Sequence, residues 1–330
     1  MESLPMNRPI AALAVAGALL AQPALAAEGS LVLYTSQPQT DAQQTIDAFK
    51  AEHPDVDISF VRDGTPKIMA KLRAELEAGA PQADLILIAD AVTMEGLKRD
   101  DALMAYPGAD VAAYPEGTHD PEKYWFATKL ITTGIVYNDA APFVPASWED
   151  LLKPEAKGMI AMPSPLASGA ALIHLQTLTG NLPQGWGYYE GLAENGAVAE
   201  GGNGGVLKAV AGGEKLYGMI VDFMPIREKA KGAPVTFVFP EEGVSAVTEP
   251  VAILKSTDNP DAAKAFVDFL LSEKGQELAA AQGYVPADPS VAAPEGYPAR
   301  AEIKVLPFDP AAALAAEEEN RARFETIFQK

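Results

Sequence analysis

Short apolar runs alternate with amphipathic segments of helical spacing near the start of the chain. Residues 31–34 and 83–88 are apolar enough to form buried strands, and residues 56–61 alternate as a second strand. Segments 41–51 and 68–78 between them carry apolar side chains at intervals typical of helices. Strands and helices that alternate at this interval are typical of a parallel sheet with helical crossovers. The pattern therefore places the chain in the α/β class.

The rest of the chain continues in this style over a total of 330 residues, a length that favours two domains. Further strands are predicted at 125–130, 134–137, 159–162 and 217–221, and further helices at 92–98, 169–179, 206–212, 261–282 and 311–330. The sequence therefore predicts two α/β lobes, each with its own hydrophobic core.

The first 27 residues have the parts of a secretory signal peptide. Arg8 gives a basic start, residues 10–21 form an apolar stretch, and Ala24, Leu25 and Ala26 fit a small-x-small cleavage pattern. The alternative is a membrane anchor, but the apolar stretch is too short to span about 30 Å of hydrocarbon. We therefore predict a signal peptide over residues 1–26, cleavage after Ala26 and a periplasmic protein.

The chain carries 45 acidic and 25 basic side chains, a formal net charge of −20. Nucleic-acid backbones are held by clustered Lys and Arg, so this charge argues against a nucleic-acid partner. It does not decide the sign of a small ligand, because exposed charges beyond a Debye length of roughly 8 Å are largely screened. The absence of cysteine excludes disulfides, thiolate nucleophiles and Fe–S clusters.

Two segments of small residues lie at predicted helix starts. Ser168 is a candidate N-cap, and Gly169 and Ala170 leave their backbone N–H groups open to a ligand. Asn203 lies in the glycine-rich segment 201–205, just before another predicted helix. A helix start exposes unpaired N–H donors and about half a positive charge, which suits an oxyanion such as phosphate. The alternatives are a plain serine cap and a flexible connection.

Four more candidates follow the first two predicted strands. Ser36 and Gln37 offer hydroxyl and amide donors from the other side of a cleft. Arg62 and Thr65 follow the second strand, where Arg62 would supply local positive charge to an anion. The alternatives are an ordinary turn for the first pair and solvent-exposed side chains for the second.

Three carboxylates are further candidates: Asp90 and Asp222, which follow predicted strands, and Glu249 in the segment 247–251. Ligands of open α/β sheets bind beyond the carboxyl ends of the strands. There a carboxylate accepts hydrogen bonds from hydroxyl groups or pairs with an ammonium group. The alternatives are a helix N-cap for Asp90 and a solvated charge for the other two.

The sequence contains no motif of a catalytic class. A paired Ser/His/Asp arrangement, a His-x-x-x-His pair and a nucleophile elbow are all absent. The three histidines, His53, His119 and His174, are far apart and have no metal-like spacing. We therefore predict a binding protein without metal or cofactor, and keep a secreted hydrolase as the alternative from another class.

An ordered series of motifs runs through almost the whole chain after residue 27. It consists of Tyr34-Thr35-Ser36-Gln37, Ala83-Asp84-Leu85, Ser168-Gly169-Ala170, Asn203 before the run 207–214, and the segment 258–272. The series resembles the periplasmic substrate-binding proteins of ABC importers, in the branch that binds ferric iron, sugar phosphates, phosphonates and polyamines. The resemblance implies a type II fold with two hinge-linked lobes, 28–130 plus 252–330 and 131–251. Each lobe is then a mixed, mostly parallel sheet flanked by helices.

The resemblance also implies how an anion is held. In ferric-binding relatives a phosphate beside the iron is bound by positions that match Ser168, Gly169, Ala170 and Asn203 here. Their iron ligands are a histidine, which falls at Pro38 or Gln39 here, and two tyrosines, which fall at Phe223 and Met224. Ferric iron prefers anionic oxygen ligands, which these side chains do not supply.

We therefore predict that the phosphate group is part of the ligand itself. The protein is expected to be a monomer that captures a small phosphorylated or phosphonylated organic molecule and delivers it to the permease subunits of an ABC importer. The alternative within this class is ferric iron held by Asp90, Glu249 and a bound anion.

Overall fold

The computed structural model describes residues 27–328, and the strands in that range form two sheets. The predicted signal peptide lies outside the described residues. The strands are β1 (Gly29–Thr35), β2 (Val56–Arg62), β3 (Leu85–Leu87), β4 (Leu103–Met104), β5 (Trp125–Ala127), β6 (Lys129–Asn138), β7 (Ile160–Met162), β8 (Val198–Ala199), β9 (Tyr217–Val221), β10 (Val235–Val238), β11 (Ser245–Val247), β12 (Pro250–Leu254) and β13 (Val285–Pro286).

Helices cover both sheets. They are α1 (Gln39–Glu52), α2 (Thr65–Glu77), α3 (Ala91–Arg99), α4 (Gly169–Asn181), α5 (Trp186–Glu194), α6 (Asn203–Ala211), α7 (Phe223–Ala230), α8 (Pro260–Leu271), α9 (Glu273–Ala281), α10 (Pro310–Ala315) and α11 (Glu317–Phe328). Short 3-10 turns lie at Trp148–Leu152, Pro154–Ala156 and Arg300–Glu302. Within residues 27–328, no helix combines the length and the apolar character needed to cross a membrane.

The first sheet has the order β2-β1-β3-β12-β4, and β5 also pairs with β12. Strands β1, β2 and β3 are parallel and are joined by α1 and α2, as the alternating pattern predicts. Strand β12 enters from the far end of the sequence and runs antiparallel to β3, β4 and β5. The core of this lobe includes Leu33, Phe49 and Phe266.

The second sheet has the order β10-β6-β9-β7-β8, and β11 and β13 also pair with β6. The predicted two-lobe α/β fold with mixed sheets is thereby confirmed. The expectation of mostly parallel sheets is wrong in one respect, because antiparallel pairs outnumber parallel ones among the described strands. The physical reason is that the strands carrying the chain between lobes, β6 and β12, run against most of their neighbours.

Two adjacent strand crossings connect the lobes, and the chain returns to the second lobe once more after α9. Strand β5 of the first sheet continues into β6 of the second through Thr128, and β11 returns into β12 through Thr248 and Glu249. The backbone N–H groups of Thr128 and Lys129 both donate to the carbonyl oxygen of Thr248, at 3.2 and 3.4 Å. The Thr128 hydroxyl donates to the carbonyl oxygen of Glu249 at 2.8 Å. These contacts form the hinge between the lobes.

Three helices differ from their predicted bounds, and one of them, predicted over 311–330, is divided into α10 and α11 after Ala315. The segment predicted as one helix over 261–282 is divided into α8 and α9 at Ser272, whose hydroxyl accepts from the Gly275 N–H at 3.2 Å and caps the second helix. Helix α6 begins at Asn203, three residues before its predicted start. Its Val206 packs against Gly218 of β9, where a Cβ atom would collide with it, so tertiary packing extends the helix into a glycine-rich segment.

The C-terminal helix packs on the second lobe. Its Phe324 is 2% exposed and contacts the ring of Tyr189, with the ring centroids 6.4 Å apart. The Arg321 side chain donates to the carbonyl oxygen of Pro165 at 2.6 Å, in the loop before α4. The resemblance predicts residues 252–330 in the first lobe, whereas α11 contacts the second lobe. The exact lobe boundaries stay a prediction.

Candidate functional site

A cleft of about 360 Å³ lies between the two lobes. It is lined by residues of both lobes: Ser36, Pro38, Arg62, Gly64, Thr65, Ala89, Ile131, Ala167, Ser168, Gly169, Ala170, Gly202, Asn203, Gly204, Gly205, Val221, Phe223, Met224 and Glu249. The structure brings together eight of the predicted site residues here, namely Ser36, Arg62, Thr65, Ser168, Gly169, Ala170, Asn203 and Glu249. Gln37, Asp90 and Asp222 do not line the cleft.

Helix α4 presents its first turn to the cleft. The hydroxyl of Ser168 caps the helix by accepting from the Ala171 N–H at 3.3 Å. The N–H groups of Gly169 and Ala170 have no acceptor in the part of the chain that the structure describes. These two N–H groups are therefore free to bind an oxyanion.

Helix α6 presents a second start beside the first. The Asn203 side-chain oxygen accepts from the Val221 N–H at 3.1 Å, which ties the start of this helix to the end of β9. The N–H of Gly205 donates to the carbonyl oxygen of Gly202 at 3.0 Å, whereas the N–H of Gly204 finds no acceptor among residues 27–328. A Cβ atom on Gly204 would meet nothing within 4 Å, so this backbone is open to the cleft.

Helix α2 presents a third start from the opposite lobe. Gly64 is its N-cap residue and lies so near the Ala167 carbonyl oxygen that a Cβ atom would overlap that oxygen. Thr65 is only 3% exposed, lines the cleft, and its hydroxyl makes no hydrogen bond within the described part of the chain. Thr65 is among the residues predicted from the sequence, whereas Gly64 is not. The available signal was Pro66, because proline favours the first turn of a helix.

The electrostatics of the cleft favour an anion. Three helix starts each carry about half a positive charge, and they face one another across the cleft. Arg62 adds a full charge, and its Nε donates to the Gln37 carbonyl oxygen at 2.8 Å. The charged side chains that line the cleft are Arg62 and Glu249. A ligand with a dianionic end is therefore well matched to this part of the site.

Glu249 is buried at the hinge and is paired. Its Oε2 atom accepts from Lys129 Nζ at 2.8 Å and from Gln37 Nε2 at 3.2 Å. Its φ of 37° is in the left-handed region, which is rare for residues other than glycine and is found at functional sites. Lys129 is not among the residues predicted from the sequence, although a lysine inside the predicted strand 125–130 is a visible signal.

The two remaining carboxylates have structural roles. Asp222 is fully buried and accepts from the N–H and hydroxyl of Thr132 at 2.9 and 2.7 Å, and burial raises its pKa to about 6. Asp90 caps α3 by accepting from the N–H and hydroxyl of Thr93 at 3.1 and 2.6 Å, and burial raises its pKa too. The structure therefore places neither in contact with the cleft, and residues 27–328 contain no metal-like carboxylate or histidine cluster.

An ion pair also joins the lobes beside the cleft. Asp41 of α1 accepts from Arg227 Nη1 of α7 at 2.9 Å and from the Tyr284 hydroxyl. The guanidinium group lies over the rings of Phe223 and Tyr284, at 4.5 and 4.6 Å from their centroids. Helices from opposite lobes are thus held together one turn away from the cleft lining.

Two α/β lobes that meet across a polar cleft, joined by two crossings at a hinge, define a protein that closes around a small solute. The chain belongs to the family of bacterial extracellular solute-binding proteins, whose model matches residues 80–313. It is the solute-binding component of an ABC importer and works in the periplasm.

Curated relatives and solved structures are similar to this chain. An uncharacterized protein of Haemophilus influenzae is 31% identical over 78% of this chain and 77% of its own. A probable ABC transporter periplasmic-binding protein, y4fP of Sinorhizobium fredii, is 26% identical over 91% and 84% of the two chains. AfuA of Actinobacillus pleuropneumoniae, solved with fructose-6-phosphate, has a TM-score of 0.83 at 24% identity, covering 91% of this chain and 98% of AfuA. Iron-bound HitA of Pseudomonas aeruginosa has a TM-score of 0.78 at 22% identity, covering 90% of this chain and 99% of HitA.

Proposed function

We propose that this protein captures a small phosphorylated or phosphonylated organic molecule and delivers it to a membrane permease. The observation that carries the proposal is the convergence of three helix starts, from both lobes, on one cleft. Their unpaired N–H groups and the Thr65 hydroxyl supply donors for a phosphoryl group, and Arg62 supplies charge. AfuA, which has the same fold, is solved with a phosphorylated sugar bound.

Ferric iron is a poorer match to this cleft. The iron alternative required Asp90 and Glu249 as ligands, but Asp90 caps a helix and Glu249 is paired with Lys129. Pro38, Phe223 and Met224 line the cleft and supply no anionic oxygen. The positive helix starts would also repel a trivalent cation.

We further propose that the protein binds its ligand without chemical turnover and acts as a monomer. The described cleft lining contains Ser36, Thr65 and Ser168, but no histidine or lysine that would activate a hydroxyl as a nucleophile. A carrier also has to release its ligand unchanged to the permease.

The proposal is tested by a thermal-shift panel of sugar phosphates, aminophosphonates, polyamines and Fe³⁺. A ligand present at 100 times its Kd should stabilise the protein by about 2.7 kcal/mol, a shift that melting curves resolve. We expect phosphates or phosphonates to raise the melting temperature and the matching unphosphorylated sugars to leave it unchanged. A shift with polyamines or Fe³⁺ alone would contradict the proposal.

A further inference from the structure

Glu249 is the only carboxylate among the described residues that line the cleft, and a buried lysine neutralises it. The side chains of Lys129 and Glu249 are 4% and 3% exposed, and their charged atoms are 2.8 Å apart. Lys129 Nζ also lies over the ring of Tyr284, 4.1 Å from its centroid. The pair therefore contributes no net charge to the ligand.

The two oxygens of the Glu249 carboxylate have different partners. Both donors, Lys129 Nζ and Gln37 Nε2, bind Oε2. Oε1 accepts no hydrogen bond from the described part of the chain, and Glu249 lines the cleft. Oε1 is thus an open hydrogen-bond acceptor whose negative charge is already compensated.

An acceptor of this kind suits a hydroxyl group better than an ammonium group. A hydroxyl donates one hydrogen bond and brings no charge, so it can be buried against a neutral pair. An ammonium group brings a positive charge next to Lys129 and Arg62, and no carboxylate in the described lining is free to pair with it. Asp222 and Asp90, which the sequence offered for this purpose, lie outside the lining.

From this geometry we infer that Lys129 is a specificity-determining residue, which makes the cleft select ligands whose organic end is uncharged and carries hydroxyl groups. The ligand class is then a hydroxylated organic phosphate rather than an aminoalkyl phosphonate. The inference rests on the proposed function, because the phosphoryl group occupies the helix starts and leaves the organic end for Glu249.

Isothermal titration calorimetry with two probes, fructose 6-phosphate and 2-aminoethylphosphonate, tests the inference. We expect the unmodified protein to bind fructose 6-phosphate at least tenfold more tightly. Lys129→Met removes the positive charge that compensates the Glu249 carboxylate. It should shift the affinity ratio at least tenfold towards 2-aminoethylphosphonate. The matched control is Lys98→Met, which removes a lysine paired with the buried Asp120 away from the cleft and should leave the ratio unchanged.

Because Lys129→Met leaves a buried carboxylate unpaired, the double variant Lys129→Met/Glu249→Gln keeps the site neutral and should retain the preference for fructose 6-phosphate. Tighter binding of 2-aminoethylphosphonate by the unmodified protein overturns the inference but leaves the proposed function standing. If neither probe binds and only polyamines or Fe³⁺ do, the proposed function fails and the inference fails with it.

Discussion

Replacing Gly204 with aspartate should nearly abolish the binding of phosphate-bearing ligands and leave the protein folded. A Cβ atom at this position meets nothing within 4 Å, so the new side chain has room at the mouth of the cleft. Two unit charges about 4 Å apart repel by about 4 kcal/mol at an effective dielectric constant of 20, and solvent exposure reduces this value. We expect affinity to fall by about 100- to 1,000-fold. The same carboxylate in the first turn of α6 should raise the free energy of unfolding by about 0.3–1 kcal/mol.

Gly204→Asn is the matched control, because it adds nearly the same volume without charge. It should keep affinity within about tenfold of the unmodified protein. The affinity of both variants is measured by isothermal titration calorimetry with a phosphate ester that the unmodified protein binds. The sign of the aspartate effect also discriminates between ligand classes. If the natural ligand were a cation such as Fe³⁺, the added carboxylate would strengthen binding instead of weakening it.

Gly64→Ala should weaken ligand binding without destabilising the empty protein. The added Cβ would overlap the Ala167 carbonyl oxygen of the opposite lobe, whereas within its own lobe it meets only the Pro66 side chain, at 4.0 Å. Gly64 has φ −60° and ψ 147°, which alanine adopts without strain. Overpacking typically costs about 1–3 kcal/mol, so binding that requires closed lobes should weaken by about 5- to 150-fold.

Gly180→Ala is the control for this prediction. Gly180 lies in the last turns of α4, and a Cβ atom there meets nothing within 4 Å. Ligand affinity and melting temperature should be measured for both variants. Unchanged affinity in Gly64→Ala would show that the lobes do not need this backbone contact to hold the ligand.

The sequence predicts the parts of the fold that depend on local patterns. The alternation around β1, β2 and β3 is visible because the second half of β1 and all of β3 are buried, the edge strand β2 alternates polar with apolar residues, and the helices between them bury one face. The antiparallel β6 and β12 are not visible in this way, because their pairing partners lie more than a hundred residues away in some cases. The division of α8 from α9 depends on a single serine cap, which an apolar periodicity does not reveal.

The candidate site was predictable where a helix start identifies it, as at Ser168 and Asn203. It was not predictable where function depends on two distant residues. The pairing of Lys129 with Glu249 joins residues 120 positions apart in sequence, and it neutralises a carboxylate that the sequence offered as a ligand contact. Asp222 fails as a ligand contact because its side chain points to Thr132 and not to the cleft, and a strand position alone does not give that direction.

Because of the ion pair between Asp41 and Arg227, ionic strength should affect the association rate of the ligand more than its dissociation rate. Arriving anions meet the exposed Arg62 and open helix starts, an attraction that dissolved salt screens. The interlobe pair has side chains only 7% and 24% exposed, so salt screens it far less. Above about 0.1 M ionic strength the remote negative charges of the protein are already screened, because the Debye length is below about 10 Å. In stopped-flow measurements over that range the association rate should therefore fall as ionic strength rises, while the residence time of the bound molecule changes little. In a saltier medium the protein would then bind free ligand more slowly but release bound ligand at nearly the same rate.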